Sequence, residues 1–145
     1  MTATSKYNYA IEPDIRQFIE YQLRYFHENK RQLESLKTDL IPSAIPKYGP
    51  QSGGFDPEQR PTEDTAVKIA TDAYIRQLEF TVSAIDSVLH ILPEEDVELI
   101  RLKYWDGKLT PEGIALALSV DRSTMYDRLN KILVEIARRL GYINL

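Results

Sequence analysis

The residues best suited to chemistry lie between Asp121 and Lys131, where cations, hydroxyl groups and an amide occur within about three helical turns. Arg122–Arg139 contains five Lys or Arg residues and two acids, although the whole chain has a net charge of −4. Lys and Arg neutralise phosphates, while hydroxyl and amide groups donate to or accept from base edges. This composition predicts contact with duplex DNA. The expected contact residues are Arg122, Ser123, Thr124, Tyr126, Asp127, Arg128, Asn130 and Lys131.

Within this set, the cations are expected to hold phosphates and the neutral groups to reach into a groove. A rotation of about 100° per residue turns most of them away from a buried stripe. The stripe consists of Met125, Leu129, Ile132, Leu133 and Ile136. Asp127 repels phosphate but can accept a hydrogen bond from cytosine. A solvated basic face, with an ion pair between Asp127 and Lys131, is the structural alternative.

Two short helices joined by a tight turn must position these side chains. Thr110 is expected to cap the first helix, with Pro111 in its first turn. Ala115 leaves room for a close approach between the helices, and Asp121 is expected to cap the second helix. Ser119 occupies the turn position where a left-handed conformation would favour glycine. The pattern predicts a helix-turn-helix, whose second helix fits the major groove.

A further helix is predicted to precede this motif. Leu92 and Pro93 open it, three acids follow in its first turn, and Gly107 is expected to end it in a left-handed conformation. Tyr104 and Trp105 are expected to be core anchors. Gly113 is unfavourable inside the next helix by up to about 1 kcal/mol.

The N-terminal part is predicted to form two long helices. Apolar residues at helical spacing predict one over 12–40, and a second face runs from Val67 through Tyr74 to Leu89. Five of the eight prolines and three of the six glycines fall in 41–61, which predicts a loop. We expect the helices to pair as an antiparallel hairpin, or to pair with another subunit.

The expected fold is all-α, with a long helical pair followed by a C-terminal helix-turn-helix domain. Residues 1–91 would serve oligomerisation or partner binding, and residues 92–145 would bind DNA. A chain of 145 residues has room for one domain, or for a small domain with an extension.

Other chemistries have little support in the sequence. The chain has no cysteine, which excludes thiol catalysis and cysteine-ligated zinc. His27 and His90 lack neighbouring ligands, so we expect no metal, no cofactor and no enzymatic activity. No apolar run is long enough to span a membrane, and the N-terminus lacks a signal-peptide core. We therefore expect a location in the bacterial cytoplasm.

The C-terminal segment resembles region 4 of the sigma-70 family. The resemblance lies in the Leu92-Pro93 start with its acidic turn, the Leu-x-Tyr-Trp-x-Gly pattern ending at Gly107, Ile114-Ala115, and Arg122-Ser123-Thr124. Together with the long helical half, its Gly- and Pro-rich loop and the helix opening at Asp64, the chain resembles the RinA/ArpU family of phage and prophage late-gene regulators. That resemblance implies a DNA-binding regulator of transcription.

The expected function is therefore binding of double-stranded DNA at a promoter, with activation of phage late genes. A homo-oligomer, with a dimer favoured, would raise the affinity of two weak modules, and host RNA polymerase is a further expected partner. Two alternatives remain open at this stage: a small-terminase-like DNA-packaging protein, and a helical adaptor that binds RNA polymerase but no DNA.

Overall fold

The computed structural model describes residues 11–43 and 63–143, and every regular element within these ranges is helical. The all-α prediction is confirmed. In chain order the elements are α1 Pro13–Arg24, α2 Phe26–Ser43, α3 Glu63–Ile91, α4 Glu94–Ile100, a π-helix Arg101–Asp106, α5 Pro111–Ala117 and α6 Arg122–Arg139.

The first long helix is broken at Tyr25, so the prediction of one helix over 12–40 is wrong. Tyr25 has φ = −103° and ψ = 17°, well away from the α-helical ψ of about −42°. The residues before and after the break, Leu23 and Phe26, are both buried. No proline or glycine lies near the break. Helix α2 continues through Ser43, and the rest of the predicted 41–61 loop lies outside the described residues.

The described residues divide into two compact units, and the first combines an N-terminal part with the C-terminal part. It contains 11–26 and 81–143. The largest fully buried side chains of its core come from α1, the second half of α3, α4 and α6: Ile19, Leu23, Ile85, Val88, Leu99, Ile100, Met125, Leu129, Ile132, Leu133 and Ile136.

Helix α1 is held in this unit by polar contacts as well as by apolar packing. The Tyr104 hydroxyl donates to Glu20 over 2.6 Å, and Trp105 Nε1 donates to the Leu23 carbonyl over 2.9 Å. Tyr104 is 4% exposed, which confirms it as a core residue, and Trp105 is half-buried. Burial of Tyr104, reinforced by its bond to Glu20, raises the pKa of the phenol.

The π-helix ends as the sequence predicts. The backbone N–H of Gly107 donates to the Leu102 carbonyl over 3.3 Å, five residues back. Gly107 has φ = 64°, the left-handed conformation in which a Cβ is unfavourable. The π segment that precedes it has no local sequence signal and forms where Tyr104 and Trp105 pack against α1.

The second unit, His27–Phe80, contains most of α2 and the first part of α3. Tyr74 donates its hydroxyl to the Gln32 side chain over 3.2 Å, and Lys37 pairs with Glu79. In each contact the two residues are 42 positions apart. The second contact therefore lies closer to the C-terminus than the first on both helices.

The two helices are therefore parallel, and the expectation of an antiparallel hairpin is wrong. A short connection imposes an antiparallel pair, whereas residues 44–62 separate α2 from α3 and leave the direction open.

The predicted apolar face of α3 is only partly buried. Leu78, Val82 and Ile85 are buried, but Val67 is 62% exposed and Tyr74 is 49% exposed. The part of α3 from Val67 to Tyr74 therefore presents apolar side chains to solvent.

Candidate nucleic-acid interface

The α5–α6 pair forms with the caps that the sequence predicts. The Thr110 hydroxyl accepts from the Gly113 backbone N–H over 3.1 Å, and Pro111 occupies the first turn. The chain then turns through 118–120, where Ser119 has φ = 59° and is the only non-glycine residue with positive φ in the described part of the chain. Ala115 is buried, and its carbonyl accepts from the Val120 N–H over 3.0 Å.

Asp121 caps α6. Its carboxylate accepts from the Thr124 backbone N–H over 2.9 Å and from the Ser123 hydroxyl over 3.2 Å. The hydrogen bonds from Thr124 and then from Ser123 hold the pKa of Asp121 below its usual value. The cap thus fixes the start of α6, and the exposed Ser123 hydroxyl donates to the same carboxylate.

Helix α6 separates a packed side from an open one near its N-terminus. All five residues of the predicted inward stripe are at most 2% exposed, so the stripe is confirmed. On the open side, Ser123, Asp127 and Lys131 follow one another at four-residue steps and are exposed, as is Arg122. Thr124, Tyr126 and Arg128 are half-buried beside them. Seven of the eight predicted contact residues therefore reach solvent.

Asn130 is the exception, and its predicted place on the outer face is wrong. It is 7% exposed, and its side-chain oxygen accepts from Arg16 Nη1 over 2.6 Å. The residues three, four and seven positions further along α6 are Leu133, Val134 and Ala137, and all three are buried. They share a face with Asn130. Helix α1 packs there, and sequence spacing alone does not show that partner.

Arg122, at the first position of α6, pairs with an acid of α5. Its Nη1 atom lies 2.8 Å from Glu112 Oε1, and both side chains are more than half exposed. The guanidinium also lies 5.8 Å from the centre of the Tyr126 ring, within cation–π range. Arg122 thus stays accessible although it has a carboxylate partner.

Arg128 pairs with an acid of α4 in the same way. Its Nη1 atom lies 3.1 Å from Glu95 Oε2, and Glu95 is 72% exposed. Nearby, burial and then the charge of Glu95 raise the pKa of Asp96, while the charges of Arg128 and Lys131 act in the opposite direction. Glu94, Glu95, Glu98 and Arg128 line an open groove with the α5–α6 turn. The acids that face these arginines were missed by sequence reasoning, because ten and thirty-three residues separate the partners.

The remaining cations have other surroundings. Arg138 and Arg139 both pair with Glu135 in the last turns of α6, and these contacts, chiefly the hydrogen bond from Arg138, lower the pKa of Glu135. Lys103 lies 5.6 Å from the centre of the Tyr104 ring. The candidate interface is therefore confined to the first ten residues of α6 and its cap.

Within the part of the chain that the structure describes, no three His, Asp or Glu side chains are grouped as metal ligands would be. His27 is exposed, and His90 lies beside Asp86, four residues earlier on α3. No helix in the same ranges combines the length and apolarity that crossing a membrane requires.

The chain belongs to the family described as "Protein of unknown function (DUF722)", which matches residues 53–138, more than half of its length. The matched range includes α3, α4, α5 and nearly all of α6. No curated protein and no solved structure matches the chain.

Proposed function

We propose that the protein binds double-stranded DNA through a helix-turn-helix, in which α5 and the 118–120 turn support α6 in the major groove. Arg122, Arg128 and Lys131 hold phosphates, while Ser123, Thr124 and Tyr126 lie at the groove. Asp127 faces the same side and accepts from an exposed cytosine amino group. The proposal includes no catalytic step.

One observation supports this proposal most directly. Helix α6 buries a continuous apolar stripe, yet immediately after its cap it turns Arg122, Ser123, Asp127 and Lys131 to solvent. Charged residues on the solvent side are common in amphipathic helices, but here two cations and a hydroxyl come directly after the turn of the proposed helix-turn-helix, where the residues of a recognition helix contact DNA. The major groove is about 12 Å wide and admits one helix presented in this way.

The resemblance to sigma-70 region 4 and to the RinA/ArpU regulators extends the proposal to transcription. The protein would bind a promoter and activate late genes of a phage or prophage, in contact with host RNA polymerase. Promoter binding and activation would take place in the bacterial cytoplasm, which contains the DNA. A homodimer would place two α6 helices on one duplex and raise the affinity through effective concentration.

Duplex binding at several salt concentrations tests the proposal. Each phosphate contact adds about 0.9 to the slope of log K against log salt. We expect Arg122→Ala and Lys131→Ala each to weaken binding and to lower the slope by roughly one contact. Arg138→Ala is the matched control, because it removes one cation from the far end of the same helix, where Arg138 pairs with Glu135. It should leave the slope unchanged.

Binding that responds equally to all three substitutions would indicate general electrostatic attraction and would reject α6 as the reading helix. If the wild-type chain binds no duplex even at low salt, the DNA-binding function itself is wrong. A footprint upstream of the phage late genes and a reporter assay then test regulation, and light scattering measures the oligomeric state.

A further inference from the structure

Two arginines of the proposed DNA face are each paired with a carboxylate from a different helix. Arg122 lies 2.8 Å from Glu112 of α5, and Arg128 lies 3.1 Å from Glu95 of α4. Glu112 and Glu95 are 62% and 72% exposed, so neither acid is needed to satisfy a buried charge. Both pairs lie on the side of the molecule where the phosphates would arrive.

A guanidinium binds a carboxylate and a phosphate in similar ways. Both present two or more oxygens to its fork of N–H donors, and both form charge-assisted hydrogen bonds with it. A guanidinium that is engaged by Glu112 must give up that partner, or share it, when it engages a phosphate.

We propose that Glu112 and Glu95 compete with DNA phosphates for Arg122 and Arg128, and so set the affinity of the interface. This inference rests on the proposed function. Each acid holds its arginine in place in the free protein, and each is displaced when the duplex binds. The acids act through the arginines and touch no base.

The position of Arg122 strengthens the case for Glu112. Arg122 is the first residue of α6, where the helix dipole is positive and disfavours a cation. A carboxylate beside it offsets that repulsion in the free protein, and a phosphate does the same in the complex. The repulsion between Arg122 and the helix dipole is thus offset by the Glu112 carboxylate in the free protein and by a DNA phosphate in the complex.

Competition of this kind lowers the affinity for every duplex, since phosphates are common to all sequences. Because the penalty is the same for every duplex, it cancels from the difference in binding free energy between two sequences. Glu112 and Glu95 therefore set how tightly the protein holds DNA in general, and the base contacts set which sequence it prefers.

The test measures the affinity of a labelled mixed-sequence duplex at low salt for Glu112→Gln, Glu95→Gln and Glu94→Gln. Glutamine keeps the shape and removes the charge. Exposed ion pairs of this type are worth a factor of about two to five, so we expect that gain in affinity from Glu112→Gln and from Glu95→Gln. Glu94→Gln is the matched control, because it removes the same charge one residue from Glu95 and pairs with neither arginine.

A second measurement separates a local effect from a general one. In an Arg122→Ala background, Glu112→Gln should no longer raise the affinity, because no guanidinium remains to be released. Urea unfolding of each variant verifies that its fold is unchanged.

Five outcomes overturn the inference. The first is equal gains from Glu94→Gln and Glu112→Gln, which indicates net charge alone. The second is a gain that persists without Arg122. The third is weaker binding by Glu112→Gln, which makes the acid an aid to binding. If wild-type binding depends on Arg122 but no glutamine variant differs from it, this inference fails while the proposed function stands. If no duplex binds at all, both fail.

Discussion

Arg16 and Asn130 are joined by a hydrogen bond of 2.6 Å, although 114 positions separate them in the sequence. The guanidinium belongs to α1, and the amide oxygen belongs to α6. Asn130 is only 7% exposed, so the bond lies within the packed part of the first unit. It connects the start of the chain to the helix that presents the candidate interface.

Asn130→Ala should lower the free energy of unfolding by about 1 kcal/mol, because it removes the buried acceptor of a half-buried arginine that keeps Glu20 as a second partner. Equilibrium urea denaturation measures the change. Arg16→Met should have a smaller effect on its own, and the double substitution should cost less than the sum of the two. The duplex affinity of the folded Asn130→Ala protein should equal that of the wild type. A loss of affinity without a loss of stability would show that Asn130 contributes to DNA binding.

Ser119→Gly should stabilise the protein by up to about 1 kcal/mol. Ser119 has φ = 59°, where a residue with a Cβ is at a disadvantage of roughly 1 to 2 kcal/mol, and glycine loses part of that gain to its greater freedom when unfolded. Thermal and urea unfolding both measure the effect. Ser87→Gly is the control: Ser87 is exposed within α3, so glycine there should destabilise by about 0.5 kcal/mol, the difference between the helix propensities of serine and glycine. Equal effects at the two sites would contradict the strain assigned to Ser119.

Asp121 should make stability depend on pH in the acid range. Hydrogen bonds from Thr124 and Ser123 lower its pKa in the folded state. Its contribution is therefore complete above the unfolded-state pKa of about 3.9 and is lost as the pH falls through the folded value.

We accordingly expect Asp121→Asn, which keeps a capping oxygen, to show a smaller loss of stability between neutral pH and pH 3 than the wild type. Urea midpoints across this range provide the measurement. Asp121→Ala should be less stable than the wild type already at neutral pH. An unchanged acid slope in Asp121→Asn would rule out this carboxylate as a contributor.

Tyr104→Phe should cost about 1 to 3 kcal/mol of stability, because it removes the donor to the Glu20 carboxylate from a buried site. The control is Tyr142→Phe, since Tyr142 is 45% exposed, and that change should stay within about 0.5 kcal/mol.

Alkaline unfolding gives a second measurement on the same residue. The folded-state pKa of Tyr104 is raised, so its contribution is complete below the unfolded-state value of about 10 and is lost as the pH rises beyond it. Tyr104→Phe should therefore lose less stability above that pH than Tyr142→Phe does. The reverse order would contradict a buried phenol.

The sequence was sufficient wherever the deciding interaction is local. Thr110 and Asp121 each bond to the backbone three residues ahead, and Gly107 needs only its own left-handed conformation. The buried stripe of α6 follows from the repeat of the helix itself. Such features depend on residues that are close together in the sequence, so residue type and spacing predict them.

Features that depend on distant partners were not predictable in this way. Helical spacing predicts that Asn130 lies on the outer face of α6, but in the folded protein α1 covers it. The local sequence predicts no partner for the Arg128 guanidinium, yet it pairs with Glu95, which lies thirty-three residues earlier in the chain. The break at Tyr25 has no proline or glycine to mark it. In each case the energy comes from a tertiary contact that outweighs the local preference.

The segment His27–Phe80 interrupts the first unit, whose parts lie on both sides of it. This order matters during synthesis on the ribosome. Helix α1 is made early, with Ile19 and Leu23 ready for burial, but Asn130 follows Arg16 by 114 residues. At a translation rate of 5 to 20 residues per second, roughly 6 to 23 s pass before α6 emerges. For that time the side of α1 that carries Ile19 and Leu23 lacks the helix that covers it in the folded protein, so the first unit can complete its core only near the end of synthesis.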